Sequence, residues 1–227
     1  IRDVHFRVEG PVVGQLQEAF AEDWQYTTGE ALAGERWFPS LEARGPVIAR
    51  AITDGPDEDL DKLSSTLLAA LASARRSIQV ATPYFLPGPA LIGALAVAAM
   101  RGLEVDVVLP ARSNIFLVDW ARIGHLVPLC EAGCRIWLTP LPFDHAKLLV
   151  IDGAWSLIGS ANWDPRSLRL NFELVVETYD PTLAGQVATI VAGRIATARR
   201  MVSDDLASRG FGARLRDGVA RLFTPYL

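Results

Sequence analysis

The stretch that most limits what this chain can fold into is His145-Ala-Lys-Leu-Leu-Val-Ile-Asp152, followed by Gly153, Gly159-Ser-Ala-Asn162 and Asn171-Phe-Glu173. An imidazole and an ammonium stand two residues apart, and on an extended strand that spacing sends both side chains to the same face. Leu148 to Ile151 is a short apolar run of the kind a buried strand uses. Asp152-Gly153 is a hairpin-turn signal, and Trp155 to Gly159 reads as the return strand. Such a hairpin carries His145 and Lys147 at one end and delivers Ser160 and Asn162 beside them.

The group chemistry suits a phosphate ester. Imidazole can attack phosphorus or shuttle a proton near neutral pH. An ammonium, an amide and a hydroxyl can hold the non-bridging oxygens. No metal-ligand set and no glycine-rich phosphate loop is evident, so no cofactor is expected. Lys62 and Lys147 are the only lysines among 22 Lys and Arg residues. In a chain that otherwise uses arginine, a lysine inside the motif points to a need for a compact point charge.

The pattern His-x-Lys-x4-Asp-x6-Gly-Ser-x-Asn resembles the HKD motif of the phospholipase D superfamily, and Asn162-Trp-Asp-Pro-Arg166-Ser167-x3-Asn171-x-Glu173 resembles its cardiolipin synthase branch. Arg2-Asp3-Val4-His5 with Glu9-Gly10-Pro11 is similar to the segment that closes the first half of such enzymes. Asp54-Gly55-Pro56-Asp57 resembles the start of their second half, and Thr82-Pro83-Tyr84-Phe85-Leu86-Pro87 the loop before a long helix. Gly88 stands where the family usually shows an aspartate. Two-motif members carry one HKD sequence per half and form the active site between the halves. This chain has one motif and begins at Ile1. The resemblance therefore implies residues 1–44 as the tail of a first half plus linker, and 45–227 as a C-terminal phospholipase D-like domain. Its partner is a missing N-terminal half or a second copy.

What the resemblance implies for the site follows by residue. His145 is nucleophile or general acid/base, and its place in the second half favours the acid/base part. Lys147 and Asn162 bind phosphate, and Ser160 supports the same oxygens or His145. Glu173 is expected to accept the proton of the far imidazole nitrogen, as the orienting acid does in a triad. Asp152 belongs to the motif as a catalytic candidate, although Asp-Gly is turn chemistry and favours structural support. Tyr84 and Phe85 border the pocket or pack in the core. Asp164 and Arg166 pair or line the mouth. His5 and His125 read as structural, with His5 the better outside candidate. The activity implied is phosphatidyl transfer through a phosphohistidine, most like cardiolipin synthesis from phosphatidylglycerol at the cytoplasmic face of a bacterial membrane. A homodimeric single-motif phosphodiesterase or nuclease, and a non-catalytic fragment that binds anionic lipid, are the alternatives.

Composition limits the rest. Half of the 227 residues are hydrophobic and 21% are charged, which is globular rather than disordered. A net charge of −4 argues against a nucleic-acid partner. Cys130 and Cys134, one helical turn apart, read as reduced thiols in a reducing compartment. No run of about 18 apolar residues is present. From Arg194 onward seven arginines face Asp204, Asp205 and Asp217, a solvated helix face or a surface drawn to anionic lipid.

Periodicity predicts helices over 12–25, 60–75 (capped by Asp57 or Asp59), 90–101, 116–132 and 181–208 (the last continuous or broken), with a short amphipathic helix near 215–223. Strands are predicted over 47–52, 77–82, 104–109, 134–139, 148–151, 155–159 and 172–179. Alternation of strands and helices gives an α/β class: a mixed, mostly parallel sheet flanked by helices on both faces, antiparallel at the hairpin.

Overall fold

A computed structural model describes residues 1–56, 61–202, 205 and 209–224. Its strands are β1 (Ile48–Asp54), β2 (Ser77–Ala81), β3 (Glu104–Pro110), β4 (Arg135–Thr139), β5 (Leu148–Ile151), β6 (Trp155–Gly159), β7 (Glu173–Tyr179) and β8 (Arg199–Arg200). Its helices are α1 (Val12–Thr28), α2 (Lys62–Ser73), α3 (Pro89–Met100), α4 (Phe116–Ala121), α5 (Ile123–Glu131), α6 (Pro165–Arg169), α7 (Pro181–Ile195) and α8 (Phe211–Leu222).

The strands form one sheet in the order β1-β7-β6-β5-β2-β3-β4-β8. The α/β class is as expected, but the parallel share is smaller. Among the strands of the described residues, only β2–β3 and β3–β4 pair in parallel. Helical crossovers feed those two pairs, whereas β5, β6 and β7 follow one another through short connections that force antiparallel neighbours.

Alternation on the strands divides the core. Ile78 and Val80 of β2, Val107 of β3 and Leu149 and Ile151 of β5 pack with Leu63, Leu67 and Leu71 of α2, Leu95 of α3 and Leu129 of α5. Leu148 and Val150, on the opposite face of β5, pack with Ala184, Val187 and Val191 of α7. Four consecutive buried residues on β5 are what a strand covered on both faces requires.

One helix expectation fails, and another segment takes the break it allowed. The segment 116–132 is two helices, because Arg122 at the junction is buried and sends its guanidinium back to the Pro110 and Ala111 carbonyls, 2.7 and 3.0 Å away. The helix from Pro181 ends at Ile195. Arg199 and Arg200 then join the sheet beside β4, with the Arg200 guanidinium over the Trp137 ring. The proposed caps Asp57 and Asp59, and Asp204, lie outside the described residues. At the start of α2 it is Asp54 that accepts the Leu63 N–H.

Candidate active site

Pairing directions decide where the chemistry gathers. The carboxyl ends of β1, β2, β3 and β6 and the amino ends of β5 and β7 share one edge of the sheet. His145 and Lys147 stand just before β5. Ala146 between them is buried in the same cluster as Leu148 and Val150, so the imidazole and the ammonium take the other side. Lys147 Nζ lies 3.0 Å from His145 Nε2 and donates to the His145 carbonyl oxygen at 2.6 Å.

The other imidazole nitrogen has a different partner from the one expected. His145 Nδ1 lies 3.2 Å from Asp3 Oδ2. The amino-terminal residues run beside the 143–145 segment: Arg2 N–H donates to the Phe143 carbonyl and His145 N–H to the Arg2 carbonyl. Asp144, buried between the two, accepts from Arg2 Nε, Arg194 Nε and the Ala146 N–H and clamps the segment against α7. Burial raises the Asp3 carboxyl, but the Val4 N–H, His145 and Lys147 outweigh it and hold the group below its usual value. Asp3 therefore faces His145 as a carboxylate. An Nδ1–H donated to it leaves the Nε2 lone pair toward Lys147 and the open edge.

Glu173 is engaged elsewhere. Its two carboxylate oxygens accept from Ser160 Oγ and, at 3.1 Å, from Asn171 Nδ2. Ser160 also donates its N–H to the Leu174 carbonyl, and its Oγ accepts the Leu174 N–H. This join requires Gly159: a Cβ there would meet Val175 Cα at 2.6 Å and collide with the Leu174 carbonyl.

Asn162 donates from Nδ2 to Ser167 Oγ at 3.2 Å, while its Oδ1 is buried without a partner. Asp164 caps α6 by accepting the Ser167 N–H. Burial, with the nearby Glu173 charge, pushes its carboxyl up to about 6 against the pull of the Ser167 and Arg166 N–H groups. Arg166 is exposed; its carbonyl accepts the N–H of Asn171 and so sets that residue beside Glu173. Burial lowers the Lys147 ammonium to about 8, although Asp3, Glu173, Asp164 and Asp144 favour its charge.

The remaining candidates separate clearly. Tyr84 stands on the edge, donating its hydroxyl to Asn114 Oδ1 and tilting against Phe143, whose ring in turn neighbours His145. Phe85 is fully buried, stacked on Trp163, so it belongs to the core and not to the rim. Asp152 lies at the opposite end of the hairpin. There its carboxylate accepts the N–H groups of Arg75, Arg76 and Ser77 at 2.9, 2.7 and 2.9 Å. His125 is buried on α5, and no contact between His5 and His145 is recorded among the described residues. The sequence reading missed Asp3, Asp144 and Ser167. Asp3 and Ser167 carried a signal, their places in the Arg2-Asp3-Val4-His5 segment and in the pattern from Asn162 to Glu173.

Residues 67–194, more than half of the chain, match the model of the family described as cardiolipin synthase, PLD-like domain. Among curated proteins, cardiolipin synthase 2 of Staphylococcus epidermidis is 31% identical over 228 residues, spanning 100% of this chain and 47% of that protein. The major cardiolipin synthase ClsA of Bacillus subtilis is 30% identical over the same length, again 47% of its own. This chain thus spans about half the length of the curated relatives it matches. Among solved structures, Nuc from Salmonella typhimurium, a phospholipase D family member, superposes with a TM-score of 0.60 at 22% identity, over 70% of this chain and 100% of that one. Phosphatidylserine synthase of Haemophilus influenzae superposes with a TM-score of 0.64 at 15% identity, over 84% of this chain and 50% of that one. With its motif on one sheet edge and its sequence matched across most of that unit, this chain belongs to the cardiolipin synthase family of phospholipase D-like domains.

Proposed function

We propose that this chain is one half of a phospholipase D-type phosphatidyltransferase of the cardiolipin synthase kind. The observation that carries the reading is the pairing of His145 and Lys147 on the open edge, with Asp3 behind the imidazole and Ser160, Asn162, Asn171 and Glu173 alongside. The substrate is a phospholipid with a phosphatidylglycerol-like head, and the working place is the cytoplasmic face of a bacterial membrane. Among the described residues, no helix is long and apolar enough to cross a membrane.

The reaction takes two displacements and two histidines. One imidazole nitrogen, from the other half, attacks phosphorus. The bond to the glycerol oxygen breaks as His145, which enters this step as the imidazolium, gives that oxygen its Nε2 proton. His145 then takes a proton from the hydroxyl of a second lipid, whose oxygen displaces the phosphohistidine. Asp3 holds Nδ1–H throughout and steadies the imidazolium. Lys147 Nζ bonds the non-bridging oxygens, exchanging its contact with Nε2 for one with phosphate. Glu173 bonds Ser160 and Asn171 while Asp3 takes His145 Nδ1, so Glu173 is assigned to the histidine of the other half. Asp152 is assigned to structural support.

A second reading has one supporting observation. The whole of the Salmonella structure is matched by 70% of this chain, so two copies of this unit are an alternative source of the second histidine. Mass spectrometry of products from phosphatidylglycerol vesicles tests both. Cardiolipin formed only when the chain is joined to an upstream half, and lost in His145→Ala, supports the transferase. Turnover by the chain alone, lost in His145→Ala, replaces it with the homodimer. A folded His145→Ala variant with unchanged rate would overturn both.

A further inference from the structure

The carboxyl-terminal helix α8 packs one side against the domain and leaves an apolar stripe exposed on the other. At about 100° per residue, Ala213, Asp217, Ala220 and Thr224 fall on one side of the helix. That side packs on Leu86, Val118 and Ala121, beneath the loop that carries Tyr84. Phe211, Leu215, Val219, Leu222 and Phe223 fall within about 120° of arc on the other side. They are exposed by 83, 59, 49, 75 and 49%.

Charge borders that stripe on both flanks. Arg216 lies on one flank and Arg214 and Arg221 on the other. Residues 209–224 carry four arginines and one acid, Asp217, in a chain whose net charge is −4. Asp217 is buried and already paired with Arg209 and Arg216. Among the described residues, Arg214 and Arg221 have no carboxylate partner within ion-pair distance. Both line a groove of about 490 Å³ between α5 and α8, with Gly124 and Val127 on its far wall. An apolar stripe between rows of arginine fits the boundary between acyl chains and anionic headgroups. Globular surfaces rarely leave a stripe of this kind uncovered.

The surface also leads toward the site. The Arg216 guanidinium sits 4.5 Å from the Trp120 ring centroid, and Trp120 packs edge-on against exposed Phe116. Phe116 follows the loop whose Asn114 accepts from the Tyr84 hydroxyl, and Tyr84 leans on Phe143 beside His145.

We infer that α8 is a membrane-surface docking helix, lying in the plane of an anionic bilayer with Phe211, Leu215, Val219 and Leu222 among the acyl chains and Arg214 and Arg221 on lipid phosphates. Docked this way, the bilayer meets the edge where His145 works. The inference stands on α8 alone and holds whether or not the chain turns over lipid, so its test uses binding and no turnover.

The full chain is floated with vesicles of phosphatidylglycerol and phosphatidylcholine, and with phosphatidylcholine alone. Binding to the first mixture is expected to exceed binding to the second at least tenfold. Leu215→Glu/Leu222→Glu should lower it at least tenfold with the melting temperature unchanged, since both side chains face solvent. Arg214→Gln/Arg221→Gln should remove most of the preference for the anionic vesicle. A solvent-sensitive fluorophore on Leu222→Cys should shift to the blue only when vesicles are present. Undiminished binding by the double glutamate variant, or no binding to anionic vesicles at low salt, would overturn the inference. A dimer in solution that Leu215→Glu disperses, without vesicle binding, would also overturn it and assign the face to a second copy.

Discussion

The two ends of the β5–β6 hairpin use carboxylates for opposite purposes. At the turn, Asp152 takes a φ of 56° and Gly153 one of 63°, a left-handed pair inside the three-residue connection from Ile151 to Trp155, closed by the Ala154 N–H on the Ile151 carbonyl. The Asp152 carboxylate is fully employed. Its burial would raise the pKa, yet three backbone N–H groups and the Arg76 guanidinium hold it below its usual value. At the other end the polar groups are under-employed: Asn162 Oδ1 is buried and unpaired, Lys147 is lowered to about 8, and Asp164 is raised to about 6. One end spends its charge on holding the fold. The other keeps desolvated groups, of which the Lys147 ammonium is the one that a phosphate would pair. A motif residue is therefore not by that fact a site residue; its neighbours decide.

The largest test of that contrast is Lys147→Met. Removing the ammonium should cut turnover by about 10²–10³, the usual scale for losing a preorganised group on developing phosphate charge. Stability should stay level or rise, because a lysine pushed down to about 8 by burial costs the fold more than it returns. Its pH signature is specific: turnover should fall as pH rises through about 8, where Lys147 loses its proton. A Lys147→Met protein that melts well below the parent would break the distinction between the two ends.

Asp152→Ala is the mirror experiment. Three charge-assisted bonds to β2 and the segment before it are lost, and about 2–4 kcal/mol of stability should go with them. The rate per folded molecule should change less than twofold, because the carboxylate sits at the other end of the hairpin from His145. Denaturant titration and activity at matched folded fraction check both halves. A folded variant with a hundredfold lower rate would return Asp152 to catalysis.

These contrasts also mark what the sequence could carry. The hairpin was legible because its information is local: an apolar run, Asp-Gly, and a return strand ending at Gly159. Its side-chain order placed His145, Lys147, Ser160 and Asn162 correctly relative to one another. The acid behind His145 was not legible in that way. Asp3 arrives across 142 residues, through a backbone pairing of Arg2 with residues 143–145 that no periodicity announces. Glu173, nearer in sequence, was the natural choice, but the Gly159 close approach brings Ser160 to it first. The same holds for Arg122 and for Arg199 and Arg200. A buried guanidinium held by the carbonyls of Pro110 and Ala111, and an edge strand completed by β4, are decided by tertiary partners that outweigh helical period.

A smaller effect sharpens the assignment of Asp3. Asp3→Asn keeps a hydrogen-bond acceptor at Nδ1 but removes the charge that steadies an imidazolium. Turnover should drop about tenfold, the scale of one charge-assisted hydrogen bond, about 1.4 kcal/mol. Asp3→Glu, which restores the charge, should recover most of the lost rate, which a merely structural change would not produce. An unchanged rate in Asp3→Asn would leave Asp3 a clamp for the amino terminus only.

The smallest and most discriminating effect is a difference in sign. Asp164 titrates near 6 in the fold against 3.8 unfolded. Between those values the folded chain holds the proton and the unfolded chain does not, so Asp164 makes stability fall as pH rises from about 4 to 6. Asp152 is lowered in the fold, so its contribution is present above the unfolded value and is lost as pH falls through the folded one. Asp164→Asn retains an oxygen for the Ser167 N–H and should stabilise the chain at pH 7.5 by about 2 kcal/mol, an advantage that vanishes toward pH 4. Asp152→Asn should destabilise at pH 7.5, with a penalty that shrinks in acid. Denaturation midpoints of the two variants measured across this range should converge on the parent from opposite sides. Convergence from the same side would mean that Asp164 is held as a paired, structural carboxylate, and that the two ends of the hairpin do not differ in the way their neighbours imply.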